Sequence, residues 1–195
     1  DQYYLEAKRG QFTGYRTVED FSITGYFAKK IVSPQNSLTS SGFTRERYTF
    51  PVIRLADLYL MYAEALNEVG GPDQADVTKY IDLVRERAGL KGVVESWKLY
   101  SSSPSKPNSK EGMREIIRQE RLNELALEGQ RFFDLRRWKE SQEWMNKPFK
   151  GWNVKEEKAE YYYDPVIIYT REFNFRDYFW PLKLNSLLVN PNLVQ

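Results

Sequence analysis

The chain has 195 residues, 41% of them hydrophobic and 15% aromatic, which is the size of one domain or slightly more with ample material for a core. Its 29 basic and 27 acidic residues leave a net charge of +2, too little for a sequence-wide field that would draw it to nucleic acid or anionic lipid. With no cysteine and no histidine, disulfides, thiolate nucleophiles, Ser-His-Asp and Cys-His catalysis and histidine-containing metal helices are all excluded.

The chain opens on Asp1, without a positively charged leader running into a hydrophobic stretch, as expected of a processed or excised piece. No apolar run reaches the ~20 residues of a membrane-spanning helix. Residues 1–50 carry scattered aromatics, several glycines and a Ser/Thr/Asn-rich patch from Ser33 to Gly42, and read as loops and strands, with Gly25–Ile31 and Tyr48–Ile53 as candidate strands. From Arg54 to Val69 the apolar residues Leu55, Leu58, Tyr59, Tyr62, Leu66 and Val69 recur at three- and four-residue steps, which predicts a helix. Ala56, Leu60 and Ala63 lie on its other side, so neighbours are expected on more than one face. Gly70-Gly71-Pro72 stops it, and a second helix from about Asp73 to Ala88 carries Ala75, Val77, Ile81, Val84 and Ala88 on one stripe. So short a connection makes an antiparallel αα-hairpin, the unit of helical-repeat superhelices, although no residue-level repeat is visible.

Residues 91–110 are rich in Ser, Pro and Lys and read as an inserted surface loop carrying Trp97 and Tyr100. Asn108, three residues before Glu111, resembles a capping box. A third helix over Glu111–Glu128 and a fourth over Gln130–Met145 then form a second hairpin. After Met145 the chain is aromatic and irregular, with strands expected at Tyr161–Tyr163, Pro165–Tyr169 and Phe173–Trp180 and an extended or loosely helical tail from Leu188. The expected organisation is a single domain over 1–195: loops and strands to residue 50, two helical hairpins over 51–145, and strands with a tail over 146–195.

Charge is densest from Glu120 to Trp138. Glu120, Glu124 and Glu128 fall at successive i, i+4 steps along one helix flank, with Arg121 and Arg131 within reach and Asp134 following. Three readings compete. Glycoside hydrolysis needs two carboxyl groups facing each other across a cleft, whereas neighbours on one helix point the same way. A metal site would lack any histidine and any second carboxylate helix. An Arg–Glu network that fixes helix register fits the pattern best, and Arg54, Glu64, Arg85 and Arg87 read the same way, with Arg54 held by a carboxylate of the third or fourth helix.

Four ordered elements carry a resemblance. Phe50 to Asn67 resembles the signature helix of the SusD/RagB family, Val84-Arg85-Glu86-Arg87-Ala88-Gly89-Leu90 its following element, Glu120 to Trp138 its Glu-Arg/Glu-Gly/Asp-Leu-Arg-Arg-Trp block, and Asp177–Leu182 with Asn190–Leu193 its closing segment. The resemblance implies a mainly α, tetratricopeptide-like α–α superhelix, here with an irregular N-terminal segment and a small C-terminal β-hairpin region. It also implies a non-enzymatic lipoprotein on the outer face of the outer membrane in Bacteroidetes, holding an oligosaccharide or other nutrient for a SusC-like TonB-dependent transporter, without a cofactor or a metal. Contact with the membrane would be through a lipid anchor upstream of this chain, nucleic acid would not be a partner, and the family's N-terminal repeats and closing Asn-Pro-Gly turn are missing.

Sugar rings stack their CH faces on exposed aromatics while polar side chains serve the hydroxyls. Candidates for such contacts are Trp97 and Tyr100 in the insertion, then Trp152 between Gly151 and Asn153, then Tyr26 and Tyr161 to Tyr163, each with packing of its own loop as the competing role. The resemblance places the family's binding aromatics largely upstream of the first signature helix. The alternative from a different class is a helical-repeat scaffold that binds only protein.

Overall fold

The structure, a computed structural model, describes residues 7–193 apart from 12, 16–20, 34, 40, 41, 48 and 74, and within these it is mainly helical. The chain divides into two compact units, Lys30–Arg131 and a second made of Asp1–Lys29 with Phe132–Gln195.

The unit Lys30–Arg131 begins with a small antiparallel pair, β1 (Ser37–Thr39) and β2 (Gly42–Thr44). Helix α1 (Leu55–Gly70) follows, and it ends where the amide of Gly71, at φ 81°, donates back to Asn67 O. Helix α2 (Ala75–Arg87) packs against α1, as does α4 (Lys110–Glu124). Their shared core is Leu60 and Ala63 of α1, Val77, Ile81 and Val84 of α2, and Met113, Ile116 and Ile117 of α4. Each fully buried Leu, Ile, Val or Met contributes about 1.5–3 kcal/mol of transfer free energy. Of the two faces of α1 expected to be covered, the Leu60–Ala63 side is the buried one. Of the predicted stripe, Leu55, Leu58, Tyr62 and Val69 are exposed, while Tyr59 and Leu66 are half-buried against the core that Leu60 and Ala63 enter. Polar links also tie α1 to α4: Asn67 Nδ2 donates to Lys110 O at 3.0 Å, the buried Arg121 donates through Nη1 to Asp57 Oδ1 at 2.9 Å, and Arg114 forks onto Glu68 at 2.5 and 2.7 Å.

Residues 91–110 are not an irregular loop. Helix α3 (Val93–Tyr100) occupies them, followed by a 3-10 turn over Lys106–Asn108. The cap of α3 comes from α2: Asp82 Oδ1 accepts the Val93 amide at 2.7 Å. Glycine at 92 leaves room for that approach, since a Cβ there would stand 2.8 Å from the Asp82 carboxylate and push it aside. Val93 is buried in the core and Trp97, one turn on, packs against it, so the helical step was present beneath the Ser/Pro composition. The cap of α4 is Ser109, whose Oγ accepts the Gly112 amide at 3.1 Å, and Asn108 belongs to the preceding turn. Helix α4 stops at Glu124, and a turn through Leu127, at φ 67°, carries Glu128 off the helix.

The expected helix over 130–145 is broken into α5 (Gln130–Arg137), most of which belongs to the other unit, and α6 (Ser141–Met145), the break falling at Lys139, whose φ is 59°. Strands β3 (Phe149–Trp152) and β4 (Pro165–Tyr169) form an antiparallel hairpin that pairs Lys150 with Ile167 and Gly151 with Val166. Between them α7 (Ala159–Tyr162) takes residues expected to be a strand, because the buried Tyr162 anchors a helical turn. Phe173–Trp180 contains a 3-10 turn over Phe175–Tyr178 closed reciprocally by Asn174 and Asp177, and α8 (Leu184–Val189) gives the tail a helical start. Gly25–Ile31 is a bend and coil instead of a strand, held by Ser22 Oγ donating to Tyr26 O at 2.7 Å. Of the expected strand at Tyr48–Ile53, residue 48 lies outside the described residues and 49–53 are not extended pairs. A small core of Ala7, Val154 and Tyr162 is flanked by Tyr15, Phe21 and Trp152.

Candidate functional site

Trp152 closes β3, and its backbone amide donates to Thr24 O at 3.0 Å, so the 21–26 segment is drawn alongside the hairpin. The tight turn needs glycine at 25, at φ 75°, where a Cβ would fall 2.8 Å from Trp152 Cδ1 and 2.7 Å from Tyr162 Oη. Tyr162, buried beneath, donates its hydroxyl to Gly25 O at 3.2 Å. These contacts set Tyr26 against Trp152, with ring centroids 5.4 Å apart and planes 36° apart, and Tyr163 edge-on to Trp152, also at 5.4 Å. Tyr26 and Tyr163 are each 59% exposed, so the cluster presents aromatic surface to solvent on a hydrogen-bonded base. Such a surface can stack the CH face of a sugar ring. Tyr161, also exposed, makes no ring contact among the described residues.

Trp97 and Tyr100 lie on α3 and share an open depression of about 440 Å³ with Arg85, Leu90 and Lys91. Trp97 is half-buried, with Lys106 Nζ 5.1 Å from its ring centroid, while Tyr100 stands out into solvent. Arg85 is fully engaged: Nη1 donates to Glu120, Nη2 to Ser96 Oγ at 2.9 Å and Nε to Lys91 O at 2.8 Å. The polar wall of this depression is therefore already satisfied by the protein.

Glu120, Glu124 and Glu128 of the charge-rich block are met by cations from elsewhere in the unit, and Arg54 serves two of them. Arg54 forks onto Glu128, with Nε to Oε2 at 2.8 Å and Nη2 to Oε1 at 2.7 Å, and its Nη1 lies 2.7 Å from Glu124 Oε1. Arg87 Nη2 meets Glu124 Oε2 at 2.5 Å, and Lys30 reaches Glu128 and the carbonyls of Glu124 and Ala126. Hydrogen bonding to Glu128 is the largest influence on Arg54 and holds its guanidinium above its ordinary value. Burial by itself would push Glu128 up, but the hydrogen bonds from Arg54 and Lys30 outweigh it, and the carboxyl sits below the usual range. Asp134 pairs with Arg137 at 2.9 Å, and Glu64 and Arg131 are half-buried on α1 and α5. Among the described residues no cluster of acidic side chains is arranged to hold a metal ion.

Of the residues singled out from the sequence, Tyr26 and Trp152 come together, as do Trp97 and Tyr100, and Tyr161 stands by itself. Lys30 and Tyr163 matter more than sequence reasoning indicated. Tyr163 was visible only as part of an aromatic triplet, and Lys30, in a coil 94 residues from Glu124, carries no local signal.

The sequence matches the SusD family over residues 2–195. SusD-like protein P38 of Formosa agariphila is 29% identical over 198 residues, which cover 98% of this chain and 32% of that protein. SusD-like protein P25 of the same organism is 46% identical over 87 residues, 45% of this chain and 15% of that protein. The solved structure of BT4246 aligns with a TM-score of 0.74 at 27% identity, over 90% of this chain and 28% of that one. The chain thus spans about a third or less of the length of these relatives. With the family matched along nearly its whole length and the helical architecture in agreement, this chain belongs to the SusD family.

Proposed function

We propose that this chain is part of a non-catalytic glycan-binding protein of nutrient uptake, acting at the outer face of the outer membrane beside a SusC-like TonB-dependent transporter and attached by a lipid anchor. The observation that carries the binding part is the exposed Tyr26–Trp152–Tyr163 cluster, aromatic surface held on a hydrogen-bonded base. Trp97 with Tyr100 is a second contact surface, and Tyr161 an outlying one. The carboxylates that would serve hydrolysis are instead tied to Arg54, Arg85, Arg87 and Lys30, which supports binding without bond cleavage.

Affinity electrophoresis of the chain through gels containing a panel of polysaccharides tests this. Retardation by at least one glycan, lowered by Trp152→Ala and indifferent to chelators, is expected. Absence of retardation across the panel refutes it. A protein-binding scaffold is favoured by one observation, the exposed apolar stripe on α1 through Leu55, Leu58, Tyr62 and Val69, and would show as co-purification of a protein lost on Leu58→Glu, with no response to sugars.

A further inference from the structure

Beside the aromatic cluster lies a cavity of about 380 Å³. Its apolar lining includes Tyr15, Phe21, Ile23, Trp152, Ile167 and Ile168. Among the described residues, and apart from the tips of Tyr15 and Trp152, its polar side chains are Asn153 and Lys155. Among the described residues neither the Asn153 amide group nor the Lys155 ammonium is engaged in a side-chain hydrogen bond or ion pair.

We propose that this cavity receives an apolar acyl substituent, aromatic in its best-fitting form, carried on a glycan that lies across Trp152; the inference rests on reading the Tyr26–Trp152–Tyr163 cluster as a glycan platform. Three features decide the chemistry. A sugar ring bears hydroxyls around its whole rim, and burying them against isoleucine and phenylalanine side chains leaves most without partners, at a cost of about 1–3 kcal/mol each. An aromatic or short acyl group has no such rim, and a cavity at the small end of ligand pockets, about 300–1,000 Å³, suits one ring better than several. An ester linkage has a carbonyl oxygen that accepts hydrogen bonds, and Asn153 and Lys155 supply donors for it. Trp152 belongs to both surfaces, lining the cavity while contacting Tyr26 and Tyr163, so one ligand can span them.

Ile23 and Ile167 are 52% and 58% exposed, so a larger side chain at either position adds bulk at the cavity without disturbing the buried core. The probe is methyl ferulate, titrated into the full chain by calorimetry and by saturation-transfer NMR, against Ile23→Trp and Ile167→Trp, each checked by thermal unfolding. Binding with Kd of about a millimolar or tighter is expected for a ligand of this size. A weakening of at least ~10-fold in both folded variants, the equivalent of about 1.4 kcal/mol, is expected if the cavity is the site. No binding, or binding unchanged in both variants, overturns the proposal. Polysaccharide retardation is measured on the same samples: methyl ferulate binding that follows the cavity variants without any retardation supports the cavity and removes only the glycan reading.

Discussion

Replacing Arg54 by methionine keeps much of the side chain's bulk and removes a guanidinium that serves two carboxylates at once. The lost interactions are the two-pronged contact with Glu128 at 2.8 and 2.7 Å, the pair with Glu124 at 2.7 Å and a bond to Glu124 O at 3.0 Å. The Glu124 and Glu128 side chains are 13% and 14% exposed, so solvent replaces little of what is lost. Removing one partner from a buried ion pair costs about 3–5 kcal/mol, and an exposed pair is worth about 0–1. Arg87 and Lys30 remain on Glu124 and Glu128, which brings the expected loss to about 2–4 kcal/mol. Equilibrium urea unfolding followed by far-ultraviolet circular dichroism measures it. The pH dependence has a definite sign. Because the folded pKa of Glu128 is depressed, its contribution is fully present above the unfolded glutamate value of about 4.3 and is lost as pH falls through the lower folded value. Arg54 supplies much of that depression, so the gap between the parent chain and Arg54→Met narrows in moving from neutral pH into that acidic window. Combining Arg54→Met with Glu128→Gln should reveal a coupling energy of about 1–3 kcal/mol. A loss under about 0.5 kcal/mol that stays flat with pH refutes the reasoning and makes the cluster a solvated surface pairing.

Ser109→Ala should cost about 1 kcal/mol through loss of the α4 cap, while Asn108→Ala changes urea stability by less than about 0.5, and the reverse order would return the cap to Asn108. Ile117→Ala, at a position with 0% exposure in the helical core, should lower stability by about 2–5 kcal/mol in the same assay. Gly25→Ala adds a left-handed penalty of about 1–2 kcal/mol to the clash with Trp152 and Tyr162, and should lower the Tm and weaken the near-ultraviolet dichroism of the aromatic cluster.

The helices α1 and α2 were legible because their apolar residues recur with helical spacing and Gly70-Gly71-Pro72 punctuates them. Which face of α1 is buried was not legible. Both faces are apolar, and periodicity reveals a stripe without revealing its neighbour. Helix α3 was hidden by composition, since its cap is Asp82 on another helix and its buried turn is only Val93 and Trp97. The i, i+4 spacing of Glu120, Glu124 and Glu128 assumed one continuous helix, whereas Leu127 in the left-handed region delivers Glu128 around a turn to Arg54 and Lys30. For the aromatic surface, residue type and loop position pointed to Trp152 and Tyr26, but their meeting depends on Gly25 and on a hydrogen bond between Trp152 and Thr24, which no linear pattern encodes.

Lys30 has a topological consequence. Its ammonium group bonds Glu124 O at 2.5 Å and Ala126 O at 3.1 Å and pairs with Glu128, so the first residue of the helical unit is fastened beside its last ones. The ion-pair cluster thus acts as a seam, holding the start of the segment to the turn after α4 without a covalent joint.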